Sequence, residues 1–184
     1  SLYEKLKKKI SGDPKSTKSN LALIGFMGSG KTTVGKLLSE KIGYKFLDID
    51  KEIEQYASTK ISDIFKRKGE QEFRKLEKQM IAQHIPSSSK TIFSLGGGAP
   101  MDKTNFHTIK QNCTPIWLWI SYSQAVKRLD IGSRPLLDQK NPEESAKNIL
   151  AERIPYYARL SDLVIDTETG KAEQIAERIK NEAG

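Results

Sequence analysis

Residues Gly25–Thr32 read Gly-Phe-Met-Gly-Ser-Gly-Lys-Thr, which is a glycine, four further residues and then Gly-Lys-Thr. They follow the apolar run 21–24 and precede residues 33–42, where apolar side chains recur at helical spacing. A strand, a glycine-rich turn and a helix in this order direct backbone N–H groups and a helix N-terminus at an anion. The pattern predicts a P-loop, in which Lys31 reaches nucleotide phosphates and the Thr32 hydroxyl ligates Mg²⁺. The predicted nucleotide-binding residues of this loop are Gly28, Ser29, Gly30, Lys31, Thr32 and Thr33.

Two carboxylates follow the next apolar segment, in the sequence Asp48-Ile49-Asp50. They lie at the end of a predicted strand, and alternation places Asp48 and Asp50 on the same side of it. One can then support Mg²⁺ through water, while the other accepts a proton from a substrate hydroxyl. Asp is also common in turns that end strands, so the functional interpretation of this pair depends on the presence of the P-loop.

One helix is predicted to begin at Ile61 and a longer one at Gly69. Arg74 and Glu77 lie three residues apart in the longer helix, so they share one helical face. Glu77 can orient the guanidinium of Arg74 so that it binds a carboxylate, although an ordinary surface ion pair has the same spacing. The run Gly96-Gly97-Gly98 follows a predicted strand, and three glycines permit a ligand to approach the backbone closely.

Two more arginines are candidates for an anion site. Arg134 lies in residues 130–141, a segment rich in Gly, Pro and charge that we interpret as a mobile loop able to close over phosphates. Arg153 precedes Pro155 on a predicted helix and offers a second guanidinium.

The composition indicates one polar-surfaced domain. The 184 residues are 36% hydrophobic and 29% charged, with a net charge of +8. No apolar run approaches the ~20 residues that span a bilayer. Cys113 is the single cysteine, which fits a reducing compartment and a packing role. We expect a cytoplasmic monomer with small-molecule partners and neither a membrane nor nucleic acid.

Residues 1–19 form a basic segment that we expect to be an extension outside the core. It carries no apolar central run, so no secretory signal is expected. It also lacks the aromatic stacking pattern and the base-reading motif of a nucleic-acid arm, and a solvated tail is the preferred interpretation.

Short apolar segments alternate with helical ones along residues 20–184, which predicts an α/β fold with a parallel sheet covered on both faces. We expect strands at 46–47, 91–95, 116–120 and 163–165 besides the one before the P-loop. In such sheets ligands bind at the carboxyl ends of the strands, where the P-loop, the Asp pair and the glycine run all lie.

In this order the motifs resemble those of the shikimate kinases. The resemblance covers residues 21–180, and its markers are Gly25–Thr32, Asp48–Asp50, Gly69–Glu77, Gly96–Ala99, Arg134–Leu137 and Arg153–Tyr157. It implies a P-loop NTPase three-layer α/β/α sandwich with a five-stranded parallel sheet, similar to the nucleoside monophosphate kinases. A substrate-binding helical region is implied near residues 49–77 and a lid near 130–140.

The resemblance also implies ATP- and Mg²⁺-dependent phosphorylation of the 3-hydroxyl of shikimate, in the pathway to chorismate and the aromatic amino acids. Asp50 is implied to contact the reacting hydroxyl as the base. Arg74 and Arg153 grip the substrate carboxylate, Glu77 orients Arg74, and Gly96, Gly97 and Gly98 line the substrate.

On the nucleotide side, the resemblance implies that Lys31 and Thr32 bind ATP and Mg²⁺, that Asp48 supports the metal through water, and that Arg134 covers the phosphates. The family usually has Arg where Lys127 stands, beside adenine. Neighbouring Arg128 offers the same group, so the adenine contact remains open between these two residues.

Two alternatives share the P-loop. Another small-molecule kinase, for gluconate or a nucleotide, would not need the glycine run together with Arg74 and Arg153. A non-catalytic binding protein of the same fold would not need Lys31, Asp50 or Arg134. Because a paired-arginine site suits a small carboxylic acid, we prefer the kinase that acts on such an acid.

Overall fold

Five parallel strands form one sheet at the centre of the protein, in the order β2-β3-β1-β4-β5. The structure is a computed structural model that describes Glu4 and residues 18–130, 132 and 135–183. The strands are β1 (Asn20–Ile24), β2 (Lys45–Asp48), β3 (Thr91–Ser94), β4 (Cys113–Trp119) and β5 (Leu163–Asp166). In the described part of the chain, the α-helices are α1 (Lys31–Ile42), α2 (Ile49–Ala57), α3 (Ile61–His84), α4 (Lys103–Asn112), α5 (Tyr122–Arg128), α6 (Pro142–Leu160) and α7 (Ala172–Ala183).

The sheet is covered on both faces, as the apolar strands predict. Successive residues of β1 belong to different cores: Leu21 and Leu23 pack with α1 and α7, while Ala22 and Ile24 pack with the other helices. All five residues of β1 and all seven of β4 are buried. The alternation of a strand thus places each neighbouring side chain in a separate apolar layer.

The carboxyl ends of β1, β2 and β3 lie at one edge of the sheet because all three strands are parallel. The P-loop follows β1, Asp48 ends β2 and the run from Gly96 to Gly98 follows β3. The sheet therefore brings together three segments that are far apart in sequence, at the edge where parallel sheets bind ligands.

The strand boundaries differ from the prediction by up to three residues, and the start of β4 differs most. Strand β4 begins at Cys113 instead of Ile116, because residues 113–115 pair with Asn20–Ala22 of β1 and the Pro115 carbonyl accepts a backbone hydrogen bond from Asp162 at 2.9 Å. Helix α2 begins directly after β2, at Ile49, because the Asp48 side chain caps it by accepting from the Asp50 N–H. The break predicted at Gly69 is confirmed: Gly69 has φ 80° and ψ 174° and divides α3 into two segments.

Cys113 is fully buried in β4, and burial raises the pKa of its thiol to about 12. Such a thiol packs as a small apolar side chain, which confirms the packing role predicted for it. No helix in the described ranges is both long and apolar enough to cross a lipid bilayer.

Candidate active site

A cavity of about 660 Å³ opens at the carboxyl edge of the sheet. Its wall combines the P-loop, both segments of α3, the start of α2, the glycine run and one residue of α6. Most of the predicted site residues lie on this wall: Gly28, Gly30, Lys31, Thr32, Thr33, Asp48, Asp50, Arg74, Glu77, Gly96, Gly97, Gly98, Arg128 and Arg153. The fold therefore gathers the phosphate-binding and carboxylate-binding candidates around one space.

The P-loop presents its lysine and its backbone to this cavity. Gly30 caps α1 with φ 85°, a left-handed conformation that an L side chain rarely adopts, and so the turn requires glycine there. The Lys31 ammonium donates to the carbonyls of Gly25 at 2.9 Å and Phe26 at 3.0 Å. Ser29 is buried and does not line the cavity. The N-terminus of α1 and the ammonium together make this end of the cavity suited to anions.

Asp48 and Asp50 both line the cavity, but they do not belong to one continuous strand. The strand ends at Asp48, and Asp50 lies in the first turn of α2. The two residues are joined by the cap, in which Asp48 Oδ1 accepts from the Asp50 N–H at 3.1 Å. The prediction that a continuing strand aligns them is wrong, because the side chain that ends the strand also starts the helix.

Thr32 and Asp48 bring a hydroxyl and a carboxylate together across the cavity wall. Thr32 Oγ1 donates to Asp48 Oδ2 at 2.6 Å, linking the start of α1 to the end of β2. The described residues contain no cluster of three metal-binding His, Cys, Asp or Glu side chains. Mg²⁺ ordinarily takes few protein oxygens and completes its shell with water and substrate phosphates. This pair beside a P-loop fits that ion.

Arg74 and Glu77 form the predicted pair, and a third residue joins them. Arg74 Nη1 donates to Glu77 Oε2 at 2.7 Å, while Nε and Nη2 both donate to Glu70 Oε1, at 3.1 and 3.0 Å. Burial raises the pKa of Glu77 to about 7, against the lowering effect of Arg74. Burial would lower the pKa of Arg74, but Glu77 and Glu70 raise it above its ordinary value. The guanidinium is thus a fixed cation on the cavity wall.

The three consecutive glycines are required by the side chains of the site itself. A Cβ on Gly96 would meet Glu77 Oε1, and one on Gly98 would meet the guanidinium of Arg74. A Cβ on Gly97 would lie 2.9 Å from Arg153 Nη1. The glycine run was expected to let a ligand approach the backbone closely, and the side chains of Glu77, Arg153 and Arg74 already do so.

Arg153 adds a further guanidinium to the cavity wall, and only 5% of its surface is exposed. It hydrogen-bonds the Tyr157 hydroxyl, which in turn donates to the carbonyl of Gly97. Burial raises the pKa of Tyr157 to about 12, so the hydroxyl remains a donor at neutral pH. The chain Gly97–Tyr157–Arg153 fixes this guanidinium against the glycine run, on the wall that Arg74 shares.

The two candidates for the adenine contact lie at the end of α5, and both are exposed. Arg128 lines the cavity, and its Nη2 donates to the Thr167 carbonyl at 2.9 Å, whereas Lys127 does not line it. Arg134 lies outside the described residues. Pro135 and Leu136 line the cavity and Leu137 is buried, so this part of the predicted lid segment borders the site.

Glu70 and Tyr157 hold the two arginines in place but were not among the predicted site residues. Glu70 lies four residues before Arg74, and Tyr157 lies four residues after Arg153. That spacing places each residue one helical turn from an arginine, and it could have predicted both contacts. Phe65 and Phe73 also line the cavity, with ring centroids 5.0 Å apart, and no polar motif marked them.

The comparisons with known proteins agree with this geometry. The family model described as shikimate kinase matches residues 27–183. The shikimate kinase of Persephonella marina is 45% identical over 161 residues, which are 87% of this chain and 96% of that protein. The solved shikimate kinase of Acinetobacter baumannii in complex with shikimate superposes with a TM-score of 0.85 at 34% identity, covering 90% of this chain and 92% of that one.

A more distant structure shows the extent of the shared fold. The deoxyadenosine kinase of M. mycoides has a TM-score of 0.56 at 18% identity, so the likeness there concerns the fold alone. The matched family model covers the P-loop from Met27 onward, Arg74, Arg153 and the glycine run. On these grounds the chain belongs to the shikimate kinase family.

Proposed function

We propose that this protein transfers the γ-phosphoryl group of ATP to the 3-hydroxyl of shikimate, giving shikimate 3-phosphate and ADP. The observation that carries the proposal is the placement of Arg74 and Arg153 in the same cavity as Lys31 and Asp50. Two guanidiniums held by their own partners suit a small carboxylate, and the P-loop suits a nucleotide phosphate. The cavity thus has one end for each substrate.

At the phosphate end, backbone N–H groups of the P-loop and the Lys31 ammonium bind the ATP phosphates. Their charge opposes the charge that builds on the transferring oxygens, which is the main protein contribution to phosphoryl transfer. Thr32 would hold Mg²⁺ directly and Asp48 through water, and the bound ion neutralises phosphate charge. The hydrogen bond between the Thr32 hydroxyl and Asp48 supports this assignment, because it brings the Thr32 Oγ1 and Asp48 Oδ2 atoms within 2.6 Å of each other.

At the acceptor end, Arg74 and Arg153 bind the carboxylate of shikimate and orient its ring. The role of Asp50 is to accept the proton of the 3-hydroxyl as that oxygen attacks phosphorus. Glu77 holds the Arg74 guanidinium, and the backbone of Gly97 and Gly98 contacts the substrate. Holding both substrates in line adds the contribution of positioning to the charge stabilisation at the phosphate end.

The adenine contact is assigned to Arg128 in preference to Lys127, because only Arg128 borders the cavity in this arrangement. Arg134 is assigned to the lid, where its charge would meet the phosphates as the segment closes over them. We place the active protein in the cytoplasm as a monomer, with residues 1–19 as an extension outside the catalytic domain.

A coupled assay of ADP release tests the activity. We expect turnover with shikimate, and turnover lower by orders of magnitude with gluconate or a nucleoside monophosphate. The product should carry phosphorus on the 3-oxygen, which two-dimensional phosphorus–proton NMR identifies through the coupling to the proton on C3. ADP release without a phosphorylated shikimate product would contradict the proposal, as would a preference for either alternative acceptor.

A further inference from the structure

Two of the five N–H groups of Arg74 donate to none of the residues that the structure describes. A guanidinium has five N–H donors, and three of those of Arg74 are used: Nε and Nη2 on Glu70, and Nη1 on Glu77. One N–H remains on each terminal nitrogen. Two such donors, one on Nη1 and one on Nη2, match the two oxygens of a single carboxylate.

The terminal nitrogens also face the glycine run. An ideal Cβ on Gly98 would come within 2.7 Å of both Nη1 and Cζ of Arg74, and it would meet Nη2 as well. The Nη1 and Nη2 end of the guanidinium therefore lies beside Gly98, on the cavity wall. Glu70 occupies the neighbouring edge, formed by Nε and Nη2.

The position of Glu70 follows from the break in α3. Gly69 has φ 80°, and a Cβ there would meet no atom within 4 Å, so the backbone conformation and not space requires glycine. Glu70 is then the first residue of the second helical segment, with Arg74 four residues on. Its side chain is 50% exposed, whereas that of Glu77 is 1% exposed.

We propose that Glu70 is a positioning residue for the substrate carboxylate. It holds the solvent-facing edge of the Arg74 guanidinium while Glu77 holds the buried side, and together they leave the Nη1 and Nη2 end for the substrate. The inference rests on the proposed function, in which Arg74 binds the carboxylate of shikimate. Glu70 touches no reacting atom and acts through Arg74.

The alternative role for Glu70 is that of an internal competitor, which the substrate carboxylate must displace. One oxygen of Glu70 already bridges Nε and Nη2, and the remaining donors suffice for a carboxylate without displacement. An exposed ion pair of this kind contributes little to stability, so its loss should change ligand placement more than folding. The two roles predict opposite changes in shikimate affinity.

The test compares Glu70→Ala and Glu70→Gln with the control Glu72→Ala. Glu72 lies on the same helix segment and pairs with Lys75 at 3.6 Å, away from Arg74. Shikimate affinity is measured by calorimetric titration, and steady-state rates give kcat and the KM values for shikimate and ATP. We expect Glu70→Ala to weaken shikimate binding by about three- to tenfold, with kcat and the KM for ATP within about twofold.

Glu70→Gln should stay within about twofold of the wild type, because its amide oxygen still accepts from Nε and Nη2. Glu72→Ala should also stay within about twofold. Tighter shikimate binding by Glu70→Ala would establish the competitor instead, and unchanged binding would overturn the inference. Equal weakening by both Glu70 variants would show that charge and not placement matters, which also overturns it. A wild-type protein that neither binds nor phosphorylates shikimate contradicts the proposed function itself, and the inference falls with it.

Discussion

Arg74 donates a 2.7 Å hydrogen bond to Glu77, whose side chain is only 1% exposed. Burial raises the pKa of Glu77 to about 7, the nearby Arg74 lowers it, and Asp50 raises it further. The second carboxylate oxygen of Glu77, Oε1, is buried without a hydrogen-bond partner among the described residues. Ionisation of this carboxyl group therefore costs the folded protein free energy, even though Arg74 donates a hydrogen bond to it.

Replacing Glu77 with Gln should stabilise the protein at high pH. The folded state binds the Glu77 proton more tightly than the unfolded chain, in which the pKa is near its ordinary value of 4.5. The favourable contribution of the protonated form is complete below about pH 4.5 and is lost as the pH rises through about 7. A shift of this size corresponds to about 3 kcal/mol. Denaturant unfolding at pH 5 and pH 8 measures it.

Between pH 5 and pH 8, the free energy of unfolding of Glu77→Gln relative to that of the wild type should rise by about 2 to 3 kcal/mol. Comparing the two proteins at each pH cancels the titration of all other groups. A difference between the variants that does not change with pH would show that Glu77 titrates normally.

A methyl group at position 98 should disable the carboxylate site without unfolding the protein. The Cβ introduced by Gly98→Ala meets the Arg74 guanidinium, which must then leave its place beside Glu77. We expect the KM for shikimate to rise by about tenfold or more, with the KM for ATP little changed. Steady-state kinetics with each substrate varied in turn measures the split.

If Gly98→Ala acts by moving Arg74, the two substitutions share one mechanism. The double variant Gly98→Ala/Arg74→Ala should then bind shikimate no more weakly than Arg74→Ala alone. Additive losses in the double variant would mean that Gly98 contacts the substrate independently.

Lys31→Ala should lower kcat/KM by about two to three orders of magnitude while the protein remains folded. The ammonium lies at the phosphate end of the cavity and is bonded to loop carbonyls, and it is not part of either apolar core. Lys36→Ala is the matched control, because Lys36 lies exposed on the same helix and does not line the cavity. Near-normal turnover by folded Lys31→Ala would refute the assignment of the P-loop lysine.

Asp50→Asn should reduce mainly kcat, by about a hundredfold or more, because an amide cannot accept the hydroxyl proton. The carboxamide keeps the size of the side chain, and the cap bond from the Asp50 backbone to Asp48 does not involve the exchanged group. Steady-state rates at saturating shikimate and ATP provide the measurement. A defect confined to the KM for ATP would place Asp50 away from the reacting hydroxyl.

The sequence predicted the elements whose signals are local. Alternating apolar strands and helices predicted the covered parallel sheet, and the glycine pattern at residues 25–32 predicted the strand–loop–helix. The break at Gly69 was also visible, since glycine there precedes a new helical period. Helical spacing predicted the contact between Arg74 and Glu77, which the structure contains.

The features that escaped prediction depend on tertiary contacts. Strand β2 ends at Asp48 because the Asp48 side chain accepts a hydrogen bond from the Asp50 N–H. Pro115 belongs to a strand in part because its carbonyl accepts a hydrogen bond from the Asp162 N–H. The three glycines signalled a close approach, but the groups that approach come from α3 and α6, which are distant in sequence. The charge state of Glu77 depends on burial, which a helical periodicity alone does not quantify.

The most direct test of the central claim compares shikimate with its methyl ester as acceptors. The ester keeps the ring and all three hydroxyls but removes the charge that Arg74 and Arg153 are proposed to bind. We expect kcat/KM for the ester to fall by at least about thirtyfold, equivalent to about 2 kcal/mol, and Arg74→Ala to lose most of this preference. Equal turnover of the acid and the ester by the wild-type protein would contradict the carboxylate site, and with it the assignment of both arginines.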